Sequence, residues 1–220
     1  VGSEMCIRDR SILTLPPVGE WFSYLIPLCA VCWYVRSVEK RKFWSSVGVK
    51  RENFTAGVVW AFAVFFILLF VLAAYDRLVV RLVGEDPQEK VVQHFEQTCP
   101  DWYFAYFFFS SFVPVGFCEE MFFRGFVLDR LLVKGSLFAI LVSSALHTSL
   151  HIWYAELLGV LSLPLYGSAF ITFVFFGLVY AKSRNVLGLV LLHGLNNASL
   201  SVRHFFGTTA ADILWSAISA

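Results

Sequence analysis

Apolar residues run along this chain in long blocks separated by short polar and charged segments. Three blocks contain no Lys, Arg, Asp or Glu and cover residues 57–75, 135–155 and 157–181. Three shorter blocks cover residues 21–35, 102–118 and 186–202. Because a helix needs about 20 mostly apolar residues to cross a bilayer, the pattern predicts an all-α, polytopic transmembrane helical bundle with about six spans. A weaker block at 205–220, interrupted by Asp212, predicts a partial seventh span.

Charged residues between the blocks predict how the helices are oriented. Six Lys and Arg residues lie within residues 36–52, and basic residues return at 130–134 and 182–184. The segment 76–101 is mostly acidic instead. Because Lys and Arg concentrate in cytoplasmic loops, we expect the three basic segments on the cytoplasmic side. Segment 76–101 then lies outside, as a solvated loop or as a short interfacial helix.

The overall composition agrees with a membrane protein. Hydrophobic residues make up 58% of the 220 residues and charged residues 15%, against about 45–50% and about 25% in soluble domains. The formal net charge of +1 provides no field that would attract nucleic acid. The composition therefore excludes a disordered chain, a disulfide scaffold and a nucleic-acid-binding protein.

The chain divides into four predicted parts. Residues 1–10 show no periodicity and no signal-peptide layout, and they read as a non-native, adapter-like leader. We expect N-terminal spans and loops at 11–101, a helical core at 102–203, and a C-terminal segment at 204–220 that is cut short.

Ionisable and strongly polar side chains inside the apolar blocks are few and fall into three groups. They are Glu119, Glu120 and Arg124; His147 and His151; and His193, Asn196 and Asn197. Such side chains are costly in a membrane and usually mark a functional site. We therefore expect the three groups to meet.

The first group predicts one neutralised and one free carboxylate. Glu120 and Arg124 are four residues apart, so they share a helix face and can form an ion pair. Glu119 points about 100° away from that face. It therefore needs a different partner.

Distances along the predicted helices indicate that partner. Glu119 and His151 both lie 15 to 16 residues from a turn near residues 134–135. At about 1.5 Å per residue, each is roughly 22–24 Å from the turn, so antiparallel packing puts the two side chains level. His147 then lies one turn nearer the cytoplasm, beside Phe123. The register therefore predicts a contact between Glu119 and His151.

The third group lies on the last clear span. His193 and Asn197 are four residues apart, and Asn196 borders the same face. His193 is about eight residues past its own cytoplasmic turn, nearer to it than Glu119 is to its turn. The two depths agree if the Glu119 helix projects one or two turns into the cytosol, which the charged residues 129–130 permit.

The order of these motifs resembles the CPBP family of intramembrane endopeptidases (CAAX protease and bacteriocin-processing, also called Abi), and within it the CAAX prenyl protease 2-like members. The motifs are Glu119-Glu120-x-x-x-Arg124, a His about 30 residues later, and His193-x-x-x-Asn197. Gly125 after the first motif and Phe175-Phe176-Gly177 before the last add to the resemblance. The match covers about residues 102–201.

The resemblance implies an activity and roles for the site residues. Glu119 and His151 would activate a water molecule, and His193 with Asn197 would stabilise the oxyanion of the tetrahedral intermediate. The supporting residues would be Glu120, Arg124, His147 and Asn196. The substrate would be a peptide bond in a membrane-associated or prenylated protein, cut near the cytoplasmic face of a bacterial inner membrane. We therefore expect peptide or lipidated protein and membrane lipid as partners, and no nucleic acid.

The second motif departs from the family pattern. That motif usually reads Phe-x-x-x-His, whereas this chain has His147-x-x-x-His151. Aligning the small residues Ser143 and Ser144 puts His147 at the Phe position, so we expect the replacement of His147 by Phe to be tolerated. His147 is then either a substitute for Phe or an added ligand.

Alternatives to a metal-free glutamate protease stay open at this point. Glu119, His151 and His193, with or without His147, would suit Zn²⁺ with an open position for water. The cofactor is therefore none or zinc, and the helical His-Glu-x-x-His zinc signature is absent from the chain. A transporter is less favoured because the chain shows no inverted repeat. A non-catalytic membrane scaffold or immunity protein is less favoured because every matched catalytic position is filled.

Overall fold

A computed structural model describes residues 18–206, and every regular element in that range is helical. Helices α1 to α4 are Val18–Ser37, Phe43–Ser46, Phe54–Val83 and Pro87–Thr98. Helix α5 spans residues 101–134 and changes its winding, in the order Asp101–Ser110 (α), Ser111–Phe117 (π), Cys118–Glu120 (α), Met121–Leu128 (π), Asp129–Leu131 (α) and Leu132–Lys134 (3₁₀). Helices α6 to α9 are Ser136–Ser149, Trp153–Leu158, Ser162–Ser183 and Leu187–Phe206, with a 3₁₀ turn at Gly159–Leu161.

The predicted all-helical class is confirmed for the described residues, and the number of spans stays a prediction. Two helical stretches are long and apolar enough to cross a membrane, Phe54–Val83 and Tyr154–Ser183. Shorter apolar helices lie at Tyr24–Ser37 and Ser136–Ser149. The leader at 1–10 and nearly all of the proposed partial seventh span lie outside the described residues.

The segment predicted to form an outer loop is mostly helical. Helix α3 continues through Val83, so the first part of segment 76–101 extends a membrane-type helix. Most of the rest forms α4, which begins at the N-cap Asp86, whose side chain accepts two backbone N–H bonds. Val91 and Val92 of α4 are buried. Of the two sequence-based alternatives, the short helix describes this region better than the loop.

The core lies where α3, α5, α6, α8 and α9 meet. Helix α9 packs against α3 and α5, and α8 packs against α3 and α6. Two glycines allow backbones to approach. A Cβ at Gly188 of α9 would lie 2.9 Å from the backbone nitrogen of Val58 in α3, and a Cβ at Gly125 of α5 would lie 2.9 Å from the Cα of Val47. A side chain at either position would push these elements apart.

The three basic segments share one end of the bundle, as expected for loops on one side of a membrane. Arg130 of α5 donates to both carboxylate oxygens of Glu39, at 3.1 and 2.7 Å. Arg184, which follows α8, lies 3.0 Å from Asp129. These two ion pairs tie the 36–52 segment to α5 and α5 to the end of α8.

Candidate active site

The two adjacent glutamates lie on one turn of α-helix between two π-helical segments of α5. Residues 111–117 precede this turn and residues 121–128 follow it. π-Helical turns are rare and often occur at functional sites. A Cβ added at Gly116 would lie 3.3 Å from the carbonyl oxygen of Val190 and 3.6 Å from the Cβ of His193. Gly116 therefore lets α9 approach closely and brings His193 to the glutamates.

The predicted ion pair between Glu120 and Arg124 is present. Arg124 Nη1 lies 3.0 Å from Glu120 Oε1, and both side chains are fully buried. Arg124 Nη2 also donates to the backbone carbonyl of Phe173 in α8, at 3.1 Å. A buried charge without its partner costs about 3–5 kcal/mol, so Glu120 and Arg124 depend on each other.

Glu120 also binds His193, a contact that the sequence did not predict. Glu120 Oε1 lies 2.8 Å from His193 Nδ1. A carboxylate paired with Arg124 accepts hydrogen bonds, so His193 donates from Nδ1. The Nε2 atom of His193 then faces Glu119 Oε2 at 3.7 Å. A carboxylate that fixes the tautomer and direction of a His in this way is a recurrent feature of enzyme sites.

His147 is the direct partner of Glu119. His147 Nε2 lies 2.6 Å from Glu119 Oε2, and Arg124 Nη1 contacts His147 Nδ1. Because a guanidinium group only donates, Nδ1 must accept. The hydrogen of neutral His147 is therefore on Nε2, from which it is donated to Glu119.

Two aromatic rings hold His147 in place. Its ring stacks on Phe123 at a centroid distance of 4.1 Å and on Phe173 at 3.6 Å, both with an interplanar angle of 9°. The predicted proximity of His147 to Phe123 is confirmed. The ring stack fixes the plane of the imidazole, and the bonds to Arg124 and Glu119 fix its rotation within that plane.

The predicted contact between Glu119 and His151 is wrong. Helix α6 ends at Ser149, so His151 lies in the turn that follows it. Its ring centroid lies 6.0 Å from that of His147, and its Nδ1 lies 3.4 Å from the His147 carbonyl oxygen. The prediction assumed an α-helical rise throughout α5, whereas π turns hold more residues and advance less per residue. The catalytic roles of the two histidines stay predictions.

The predicted level of His193 agrees with the structure. Its Nε2 atom lies 3.7 Å from Glu119 Oε2, so the two residues lie at one level of the bundle, whereas the projection of α5 into the cytosol stays a prediction. Asn197 lies one turn further along α9, where its Oδ1 accepts a hydrogen bond from Asn196 at 3.5 Å.

Five of the eight predicted site residues form one connected polar network, defined as Glu119, Glu120, Arg124, His147 and His193. His151 lies four residues after His147, just past the end of α6. Asn197 lies four residues after His193, within α9. Both helices run away from the end that carries the basic segments, so the two side chains flank the network on its other side.

The network does not provide the donors of a catalytic zinc site. Such a site usually takes three protein ligands, each offering a lone pair to the metal. His147 carries its hydrogen on Nε2, and His193 uses Nδ1 to bind Glu120, which leaves His193 Nε2 and Glu119. Among residues 18–206, no three His, Cys, Asp or Glu side chains are grouped as metal ligands.

One comparison with known proteins covers the part of the chain that carries this site. Residues 101–199 match the model of a family described as type II CAAX prenyl endopeptidase Rce1-like. The matched segment contains the whole polar network together with His151 and Asn197. No curated protein and no solved structure matches the chain. Over residues 101–199 the chain is similar to the Rce1-like family of type II CAAX prenyl endopeptidases, and two of its helical stretches are long and apolar enough to cross a membrane.

Proposed function

We propose that this protein is an intramembrane endopeptidase that hydrolyses a peptide bond in a prenylated protein tail, with Glu119 as the general base that activates water. One observation carries the proposal. Of two adjacent carboxylates, Glu120 is neutralised by Arg124, whereas Glu119 Oε2 faces the Nε2 atoms of His147 and His193, at 2.6 and 3.7 Å.

Accessibility supports the choice of Glu119 over its neighbour. The side chain of Glu119 is 13% exposed, whereas those of Glu120 and Arg124 are fully buried. A general base must come within hydrogen-bond reach of the proton that it removes. Glu119 is therefore the carboxylate of the network that water can reach.

The hydrolytic step follows from these positions. Glu119 takes a proton from water as the water oxygen attacks the carbonyl carbon of the substrate. In its protonated form, His193 keeps Nδ1 on Glu120 and donates from Nε2 to the resulting oxyanion, which the side-chain amide of Asn197 also stabilises. The carbon–nitrogen bond then breaks, and the proton held by Glu119 passes to the leaving amine. A preorganised donor to such an oxyanion is typically worth about 2.7–4 kcal/mol of barrier.

His147 and His151 take different positions in this proposal. His147 donates to Glu119 and keeps its carboxylate directed at the reacting water. His151, beyond the end of α6, lies with Asn197 on one side of the network, and the substrate enters from that side. The basic segments 36–52 and 130–134 lie at the opposite end of the network, and we place them in the cytosol, with the protein in a bacterial inner membrane.

Peptide cleavage by purified, detergent-solubilised protein tests the proposal. The substrate is a farnesylated CAAX peptide, and the variants are Glu119→Gln and the flanking control Glu156→Gln, which lies in α7 outside the network. We expect cleavage by the wild type and by Glu156→Gln, and loss of cleavage in a folded Glu119→Gln protein.

A strong chelator separates the metal-free mechanism from the zinc-dependent one. We expect the wild-type rate to survive chelation, since His147 offers no lone pair to a metal. Loss of cleavage on chelation, with recovery on addition of Zn²⁺, would overturn the metal-free mechanism. A folded wild-type protein that cleaves no prenylated peptide would favour a non-catalytic scaffold or immunity protein.

A further inference from the structure

The end of the bundle that carries segment 36–52 holds exposed cations that form no ion pair with any residue of the described part of the chain. Six of them define what we call the basic rim: Lys40, Arg41, Lys42, Arg51, Lys134 and Lys182. Each is exposed, and none forms an ion pair with another residue in the described range 18–206. They come from three separate segments that the fold brings to one end.

The acidic residues at this end do not neutralise the basic rim. Glu39 is bound at both oxygens by Arg130, and Asp129 is bound by Arg184 at 3.0 Å. Glu52 is the remaining acidic residue of segments 36–52, 129–134 and 182–186. The rim therefore keeps a large positive excess.

The opposite end of the bundle is arranged differently. Lys90 pairs with Glu85, and Arg203 pairs with Glu89. The 76–101 segment there also has more acidic than basic residues. Among residues 18–206, a positive excess is thus a property of one end, and it does not follow from the composition of the chain as a whole.

Apolar side chains lie exposed between the cations. Trp44 is 56% exposed and Val133 is 87% exposed. Trp is enriched where membrane proteins meet the headgroup region, and clusters of Lys and Arg next to membrane helices bind anionic lipids. Trp44 in the short helix α2, beside Lys42, combines both properties. A site for a small soluble anion would not need exposed apolar side chains around it.

We propose that the basic rim binds the anionic headgroups of phospholipids, so that acidic lipids concentrate around this end of the protein. The phosphate of the headgroup meets Lys and Arg, and Trp44 and Val133 meet the upper part of the acyl chains. The proposal does not depend on peptidase activity and can fail or hold independently of it.

Fluorescence quenching by brominated lipids tests the proposal on the full chain in vesicles. The signal of Trp44 is the difference between the wild type and Trp44→Phe. We expect brominated phosphatidylglycerol to quench this signal several-fold more strongly than brominated phosphatidylcholine at equal mole fraction. Equal quenching by the two lipids would overturn the proposal.

Matched variants show whether the rim causes the preference. The triple variant Lys40→Gln, Arg41→Gln, Lys42→Gln should lose it, whereas Lys90→Gln at the opposite end should keep it. Replacing Lys40 and Lys42 by Arg should also keep it, which excludes a folding defect as the cause. A preference that survives the triple variant would refute the assignment to this surface.

Repeating the quenching measurement with added phosphate or chloride salts distinguishes binding of a lipid headgroup from binding of free phosphate. Inorganic phosphate should weaken the preference for phosphatidylglycerol no more than chloride does at equal ionic strength, because screening alone acts on both. Stronger competition by phosphate than by chloride would mean that the rim binds a soluble anion, and would overturn the lipid proposal.

Discussion

Replacing His147 by Phe separates the packing of this ring from its hydrogen bonds. A Phe ring can occupy the space between Phe123 and Phe173, where the imidazole stacks at 4.1 and 3.6 Å. It offers no donor to Glu119 and no acceptor to Arg124. We therefore expect a folded protein with reduced activity, in contrast to the tolerance that the sequence motif predicts.

The expected loss of activity in His147→Phe follows from the hydrogen bond to Glu119 that is removed. The contact of 2.6 Å between His147 Nε2 and Glu119 Oε2 is a hydrogen bond to a charged group, worth about 1.5–3 kcal/mol. At about 1.4 kcal/mol for each factor of ten in rate, kcat/KM should fall roughly 10- to 150-fold. Because the ring stack remains but Arg124 loses an acceptor, the variant should stay folded with a lower thermal unfolding temperature than the wild type.

The assay compares three variants on one farnesylated peptide. His147→Gln keeps an N–H donor without the ring, and it should recover part of the activity that His147→Phe loses. His151→Phe lies beyond the end of α6 and serves as the matched substitution. Wild-type kcat/KM in His147→Phe, with activity abolished in His151→Phe, would refute the reasoning and assign the catalytic role to His151, as the family motif implies.

Three further substitutions test the packing of the site and of the helices around it, all by thermal unfolding in detergent. Glu120→Gln leaves a buried Arg124 without its counter-charge, so it should cost about 3–5 kcal/mol of stability; an unchanged unfolding temperature would contradict the ion pair. Gly188→Ala puts a methyl group against the backbone of α3 and should cost about 1–3 kcal/mol, whereas Gly57→Ala in the facing helix meets only ordinary contacts of 3.5 Å and beyond and should not destabilise. Arg130→Gln removes a partly buried, two-pronged bond to a carboxylate and should cost about 1.5 kcal/mol, the lower end for charged hydrogen bonds; no loss would show that this end of the bundle is held by other contacts.

Local spacing predicted some of the site correctly. The pairing of Glu120 with Arg124 depends only on one turn of helix, so small changes in winding do not affect it. The helical class likewise follows from long apolar blocks, which leave no other structure for a chain in lipid. These predictions need only information that is close together in the sequence.

Contacts between distant helices were harder to predict for a physical reason. The expected contact of Glu119 with His151 was calculated from a constant rise per residue over about 15 residues in each of two helices. Helix α5 contains π turns that change this rise, so the error in the calculated position grows along the helix. The bond between Glu120 and His193 joins residues 73 positions apart. Pro114 and Gly116 were a usable signal, since both residues within one helix indicate irregular winding just before the glutamates.

The contact between Gly125 and Val47 bears on how this protein can be divided. Gly125 belongs to the segment that the family match covers, whereas Val47 lies outside it, yet the backbone of Val47 occupies the space that a side chain at 125 would need. Evolutionary similarity and independent folding therefore have different boundaries here. A fragment cut at residue 101 would keep all the chemistry of the polar network but would leave an open groove beside Arg124, so expression and engineering of the peptidase should retain the helices that precede the matched segment.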